Sequence, residues 1–430
     1  MAGMKVDVYS LASAPGLRFN TGMNSTTLTL ADRLAASPGR IAAMVCLAAM
    51  TALAVAMGIG RFAFTPLFPL MVRDGLLDSQ AGAMLAAANY AGYLAGALAA
   101  ARLRTGAAKL LAFGLLGTVL ITAGVGWTAS PFWWAVLRFL AGVMSAWTLV
   151  ATSAWGLGWL AAIGRPGLAG VLFSGVGLGI AAAGLFCLLA GPSVPSPRMW
   201  IGLAVLAALA SVLPLVLSRS LPAPGATSSP AAAPAAAPAP ARRAPSSLYG
   251  LVVCYTLFGF GYILPATYLP ALARQLVDDP RVFGLAWPLF GAAAAISTVL
   301  VSWRLGKANR LAVWSLCHVV MAVGVLLPAV WTSLTSVVIA ALLVGGTFMV
   351  ITMVGMQEVR ARAEGQATRA LGRMTAGFAV GQLAGPLASA GIARLTDANG
   401  ALRLALMLSA LGLLASAAYL WRRYRADTHN

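Results

Sequence analysis

Two arginines in this chain have almost nothing but apolar neighbours. Arg61 lies in "GIGRFAFTPLFPLMV" (58–72) and Arg138 in "FWWAVLRFLAG" (132–142), within 430 residues of which 60% are hydrophobic and 9% charged. Only ten acidic residues are present, and none falls deep in an apolar run. Asp74, Asp78, Asp278, Asp279 and Asp397 belong to polar connections, and Glu358 and Glu364 stand at or beyond the end of a run. A guanidinium at the centre of an apolar helix costs about 2.5 to 3.5 kcal/mol on insertion scales, so it faces a cavity or a partner. It offers five donors in a planar fork that fits a carboxylate or a phosphate. The expected chemistry of Arg61 is therefore recognition of an anionic group. The structural alternative is that it pairs with backbone carbonyls or with an acid brought close by folding.

Other polar side chains recur at helical spacing. Arg138, Gly142, Ser145 and Thr152 form one small, polar stripe, Asn89, Tyr93 and Gly96 a second, and Thr375 and Gln382 a third. Such stripes suit either a cavity lining or interhelical hydrogen bonds. Arg138 stands seven residues past Pro131, close enough to a helix end for its side chain to reach a membrane surface. Together with Arg61, the residues expected to line a binding site are Asn89, Tyr93, Arg138, Tyr262 and Gln382. His318 and Glu358 are the candidates for moving a proton, and of the two readings of His318 packing is the favoured one. Gly175 and Gly179, one turn apart, and Gly381 are expected to let helix backbones approach closely. No strand and no Lys-Ser/Thr pair accompanies the glycines, which sets a phosphate-binding loop aside. Cys46, Cys187, Cys254 and Cys317 have no disulfide or metal spacing. No nucleophile-base constellation appears, so neither an enzyme nor a cofactor or metal is expected.

The elements that position these residues are membrane helices. A soluble domain carries roughly 25% charged residues, far above this chain. Windows of about twenty apolar residues predict twelve spans, near 41–71, 80–101, 107–127, 132–159, 167–190, 199–218, 248–272, 283–303, 311–330, 334–357, 374–393 and 401–421. The net charge of +19 reflects topology rather than a nucleic-acid partner. Most Lys and Arg fall on alternate connections, such as Arg102, Arg104 and Lys109; Arg304, Lys307 and Arg310; and Arg360, Arg362, Arg369 and Arg373. This bias predicts a cytoplasmic (inner) membrane protein with both termini cytoplasmic. Trp127, Trp133, Trp134, Trp200, Trp331 and Trp421 near span ends read as interfacial anchors.

The predicted organisation is a cytoplasmic tail (1–40), a six-helix half (41–218), a Pro/Ala-rich cytoplasmic linker (219–247), a second six-helix half (248–421) and a short tail (422–430). The linker composition cannot bury enough surface to fold. The halves repeat. "GIGRFAFTPLFPL" from 58 aligns with "GFGYILPATYLPA" from 259, pairing Gly58 with Gly259, Gly60 with Gly261 and Pro69 with Pro270, and setting Tyr262 opposite Arg61. "GVGLGIAAAG" from 175 aligns with "GFAVGQLAGP" from 377 at nearly the same offset. Two similar halves joined by a linker can rock about a site at the bilayer midplane.

From about residue 41 onward the chain resembles the major facilitator superfamily, and "GIGRFAFTPLFPLM", "GVGLGIAAAG", "GFGYILPATYLP" and "GQLAGP" resemble its YbfB/YjiJ-like subgroup. Arg138 and Gly142 fall at that superfamily's R-x-x-x-G element. In the loop after the second span, "GALAAARLR" keeps Gly96, Leu98 and Arg104, but Ala100 and Ala101 stand where the superfamily has an Asp and an Arg. Arg104 is thus a gating candidate whose usual charge partners are missing. The resemblance implies an all-α fold of twelve transmembrane helices in two pseudo-symmetric halves, and secondary active transport by alternating access. Joined to the sign of the buried charge, it predicts a monomeric carrier of a small organic anion, a monocarboxylate with an apolar body, using proton coupling or exchange. The expected partners are that small molecule and membrane lipids. Efflux of neutral or acidic hydrophobic compounds is the alternative. A non-transporting membrane sensor that kept a carrier fold is the alternative of another class.

Overall fold

In a bilayer every backbone polar group must be satisfied within the protein, which leaves helices as the way for apolar runs of this length to cross. The computed structural model describes residues 38–429 except 104, 222–245, 277–279, 364, 393 and 395–397. Among the described residues there is no strand. The helices are α1 Pro38–Arg73, α2 Ser79–Arg102, α3 Ala107–Trp127, α4 Pro131–Ala162, α5 Ala169–Ala190, α6 Ser196–Ser220, α7 Ser246–Leu276, α8 Pro280–Leu305, α9 Arg310–Val330, α10 Leu334–Ala361, α11 Ala367–Ile392 and α12 Ala398–His429. Eleven of them are long and apolar enough to cross a membrane. The exception is α11, which carries Arg369, Arg373, Thr375 and Gln382. The chain is a multi-pass membrane protein of two six-helix halves.

Starts and stops follow local chemistry. The Asp78 carboxylate accepts from the Ala81 N–H at the start of α2, and Asn309 from Leu311 at the start of α9. Ser333 and Ser336 cap α10 reciprocally. Gly164, with φ of 69°, turns the chain out of α4.

The structure differs from the sequence reading in one extent and in two of the expected anchors. α12 runs through residue 429 rather than ending near 421, because Arg422 to His429 continue the helix and Asp427 meets Arg362 at 2.9 Å. The predicted tail at 1–37 and the linker over 222–245 lie outside the described residues. Trp127, Trp133, Trp331 and Trp421 are exposed as anchors would be, but Trp134 and Trp200 are buried, and Trp134 donates its indole N–H to the Val125 carbonyl.

Small residues set the helix packing. A Cβ added to Gly58 would lie 2.3 Å from the Gly179 Cα, so α1 and α5 touch backbone to backbone there. The second half repeats this contact, with a Cβ on Gly381 3.1 Å from the Gly259 carbonyl carbon, between α11 and α7. The halves meet along two seams. In one, Gly177 of α5 lies against Gly291 and Ala295 of α8. In the other, Gly372 of α11 lies against Ala101 of α2. Without a hydrophobic drive between helices in lipid, such close approaches supply the dispersion contacts that hold them.

Gly58→Ala should therefore lower the unfolding midpoint of the purified protein in detergent by the equivalent of about 1 to 3 kcal/mol, the range for overpacking. Gly346→Ala, at a position with nothing within 4 Å, should leave it unchanged; equal midpoints for the two variants would contradict this packing.

Candidate functional site

The site is built on a break in helix geometry. α1 is α-helical over Pro38–Leu53, π-helical over Ala54–Phe62 and α-helical again over Phe64–Arg73. A π segment widens the turn and misaligns its carbonyls with the usual donors. Pro66 adds to this, since it has no N–H to offer the Arg61 carbonyl five residues back. Side chains from α4 take up the slack. Arg138 donates from Nη1 to the Gly60 carbonyl (3.2 Å) and from Nη2 to the Arg61 carbonyl (3.1 Å). The Ser145 hydroxyl lies between the Ala141 carbonyl of its own helix, at 2.6 Å, and the Ala56 carbonyl, at 3.1 Å. Asn89 of α2 holds the backbone of Arg138 itself, donating to its carbonyl at 2.9 Å.

The π segment presents Arg61 to the seam between the halves. Its guanidinium is 2% exposed and lies over the face of Tyr93, 3.6 Å from the ring centroid. A cation held so close to a desolvated ring gains of order 2 kcal/mol. Nη2 donates to the Gln382 side-chain oxygen of α11, which bridges the two halves. Arg61 Nε and Nη1 have no hydrogen-bond partner, nor has the Gln382 amide nitrogen or the Tyr262 hydroxyl. None of the described ion pairs involves Arg61. Unpartnered buried donors of this kind are rare enough in folded proteins that each calls for an explanation.

Rings from both halves surround this point. Tyr262 stacks on Phe348 at 4.3 Å with 10° between the planes, and Trp287 on Phe290 at 5.4 Å and 6°. Phe62, next to Arg61, lies 6.1 Å from Phe348, and Phe378 lies 6.5 Å from Tyr93. α1, α2, α7, α8, α10 and α11 all contribute. The arrangement combines a positive, donor-rich polar spot with a flat, apolar wall.

Of the residues expected from sequence, the structure brings Arg61, Tyr93, Gln382 and Tyr262 together. Arg138 stands one layer behind, against the backbone of the π segment, and Asn89 against the backbone of Arg138. Arg138 is 4% exposed and does not reach toward a membrane surface; the freed carbonyls beside it hold it in place. Thr375 bonds only the Leu371 carbonyl of its own helix. His318 is elsewhere, on α9, accepting from the Trp314 indole at 3.0 Å and lying 6.1 Å from the Phe258 ring. Glu358 is at one end of the bundle, bonded to Arg362 at 2.7 Å and Arg310 at 3.2 Å. Arg104 lies outside the described residues. Gly175, Gly179 and Gly381 sit at backbone contacts with Met50, Ala54 and Thr256. No group of three His, Cys, Asp or Glu able to hold a metal occurs among the described residues. The sequence reading missed Trp287, Phe290, Phe348 and Phe378. The mid-span positions of Phe290 and Phe348 were the available signal, whereas Trp287 and Phe378 stand near the starts of their predicted spans.

With this geometry in place, comparisons with known proteins bear on it. The family profile described as uncharacterised MFS-type transporter YbfB matches residues 53–420. No curated protein matches the chain significantly. Among solved structures, the human organic anion transporter MFSD10 (TETRAN) has the same fold, with a TM-score of 0.63 and 15% identity over 89% of this chain and 99% of that one.

Replacing Arg138 by Met should destabilise the protein by about 2 kcal/mol or more, since two charge-assisted hydrogen bonds to buried carbonyls are lost. Arg138→Lys, whose compact head cannot span both carbonyls, should recover part of the loss. Thermal unfolding of the purified variants checks this; a Met variant as stable as the parent would contradict it.

Proposed function

The chain belongs to the YbfB-type major facilitator transporters, and on that premise we propose that it carries a small organic anion, a monocarboxylate with an apolar body, across the cytoplasmic membrane. Secondary transport follows from the family. The charge of the cargo is our reading, and one observation supports it: Arg61, a permanent cation at the seam of the halves, keeps unpartnered N–H groups and has no carboxylate in its described contacts. A carboxylate arriving between the halves would supply the acceptors that the fork lacks. Because Arg61 belongs to α1 and Gln382 to α11, an anion there would touch both halves and feel their relative motion. The human transporter of the same fold is named for organic anions. At 15% identity it lends the fold, and the anionic cargo rests on Arg61.

Coupling by exchange of one anion for another, or by a proton travelling with the substrate, fits the interior best. Glu358 is engaged by two arginines at the bundle's end, and His318 packs among rings of α9 and α7. The alternation of basic connections supports both termini on the cytoplasmic side, and we read the carrier as a monomer, with Gly372 packed on Ala101 in place of the missing loop charges. The aromatic wall favours a second reading, efflux of hydrophobic neutral or acidic compounds. Growth of a deletion strain on toxic compounds separates the two, because only loss of an exporter sensitises the cell.

In proteoliposomes, Arg61→Ala should abolish uptake of the transported carboxylate and Arg61→Lys should retain a fraction of it. Unimpaired uptake by the alanine variant would sink the assignment.

A further inference from the structure

The hydrogen bond between Arg61 and Gln382 fixes more than the seam. An arginine can only donate, so the oxygen of the Gln382 amide must face it, and the amide nitrogen is thereby held beside the guanidinium. That nitrogen is buried and has no partner. Gln382 uses one hydrogen of Arg61 Nη2. The second stays available with the neighbouring Nε or Nη1, so one edge of the fork can grip a carboxylate with two parallel bonds. A third donor, Gln382 Nε2, then stands next to that carboxylate. It calls for another acceptor on the adjoining carbon of the same ligand.

Two further unpartnered groups of the aromatic wall can donate. The Trp287 indole N–H is a donor, and the Tyr262 hydroxyl can donate. Both side chains are more than nine-tenths buried. A ligand that brought its own ammonium would set a cation against the guanidinium and an N–H against the Gln382 amide, and both contacts are repulsive. Around this point the rings lie in near-parallel pairs, Tyr262 on Phe348 and Trp287 on Phe290. The rings of each pair already stack on one another, so a flat ligand ring would extend an existing aromatic stack in offset geometry, which a puckered aliphatic ring cannot match.

Resting on the anion-carrier reading above, we propose that the substrate is an aryl 2-oxo acid, its carboxylate on Arg61, its 2-oxo oxygen on Gln382 Nε2 and its ring among Tyr262, Phe348, Trp287 and Phe290. Amino acids and amines are excluded by the sign of the donors, and plain aromatic acids bind more weakly for want of the second acceptor.

Calorimetric titration of the full chain, purified in detergent, with four probes of nearly one shape tests this. Phenylglyoxylate has the 2-oxo group, phenylacetate lacks it, phenylglycine puts an ammonium in its place, and cyclohexylacetate replaces the ring of phenylacetate. Phenylglyoxylate should bind at least about 10-fold more tightly than phenylacetate, the worth of one well-made hydrogen bond to a buried donor. Phenylacetate should exceed cyclohexylacetate, and phenylglycine should not bind at the same concentrations. Gln382→Leu should bring phenylglyoxylate down to the level of phenylacetate. Equal binding of phenylglyoxylate and phenylacetate by the parent chain, or binding of phenylglycine as tight as theirs, would overturn the 2-oxo assignment while leaving the anion-carrier reading intact. Binding of none of the three acids would overturn both. Because the ligand series is read on the parent protein, the test holds even if the Gln382 variant does not fold.

Discussion

A guanidinium cannot shed its charge at any pH a cell meets, so inside a membrane protein it must find acceptors or wait for them. Two are buried among the described residues, and the rest of the structure follows from how each is treated. Arg138 is held from within at Nη1 and Nη2, its Nε remaining unpartnered. The π-helical turn of α1 and the missing N–H of Pro66 free backbone carbonyls, and Arg138 takes those of Gly60 and Arg61. That bond in turn fixes the backbone on which Arg61 is mounted. Arg61 is left with one amide oxygen, the rings of Tyr93, Phe62 and Tyr90, and N–H groups to spare. One cation therefore shapes the helix, and the other is presented by it.

The glycines make this geometry possible. Gly58 meets Gly179 backbone to backbone, so α5 closes on the π segment from one side while α4 bonds it from the other. The same contact recurs as Gly259 with Gly381 in the second half, but there α7 is α-helical throughout and Tyr262 occupies the place of Arg61. The halves share their packing and differ in their chemistry. Such an asymmetry suits a carrier in which one half holds the charged end of a ligand and the other faces its body, with Gln382 the point where they touch.

Much of this could be read from the residues alone. The apolar periodicity located the helices, and the alignment of "GIGRFAFTPLFPL" with "GFGYILPATYLPA" paired the halves and set Arg61 apart. The structural alternative weighed for Arg61, bonding to backbone carbonyls, turned out to describe Arg138 instead. Composition could not separate the two, because both are lone arginines in apolar runs, and what distinguishes them is a π turn. Helix register of that kind depends on tertiary partners, here Gly179 and Arg138, that lie more than 75 residues away along the chain. The aromatic wall escaped for a similar reason. Phe290, Phe348 and Phe378 sit on three helices and form a surface only after folding, whereas Arg61 announces itself within five residues. His318 and Glu358 were chosen for their titratable groups, and position set them aside from the site, one among the rings of α9 and the other in an ion-pair cluster with Arg310 and Arg362.

The central claim is that Arg61 is a cation awaiting an anionic ligand, and imaging the ligand tests it most directly. Cryo-electron microscopy of the protein in a lipid nanodisc with saturating benzoate should place the carboxylate within hydrogen-bonding distance of the Arg61 guanidinium, between α1 and α11. Benzoate bound elsewhere or not at all, with Arg61 Nε and Nη1 both held by protein groups, would contradict the account.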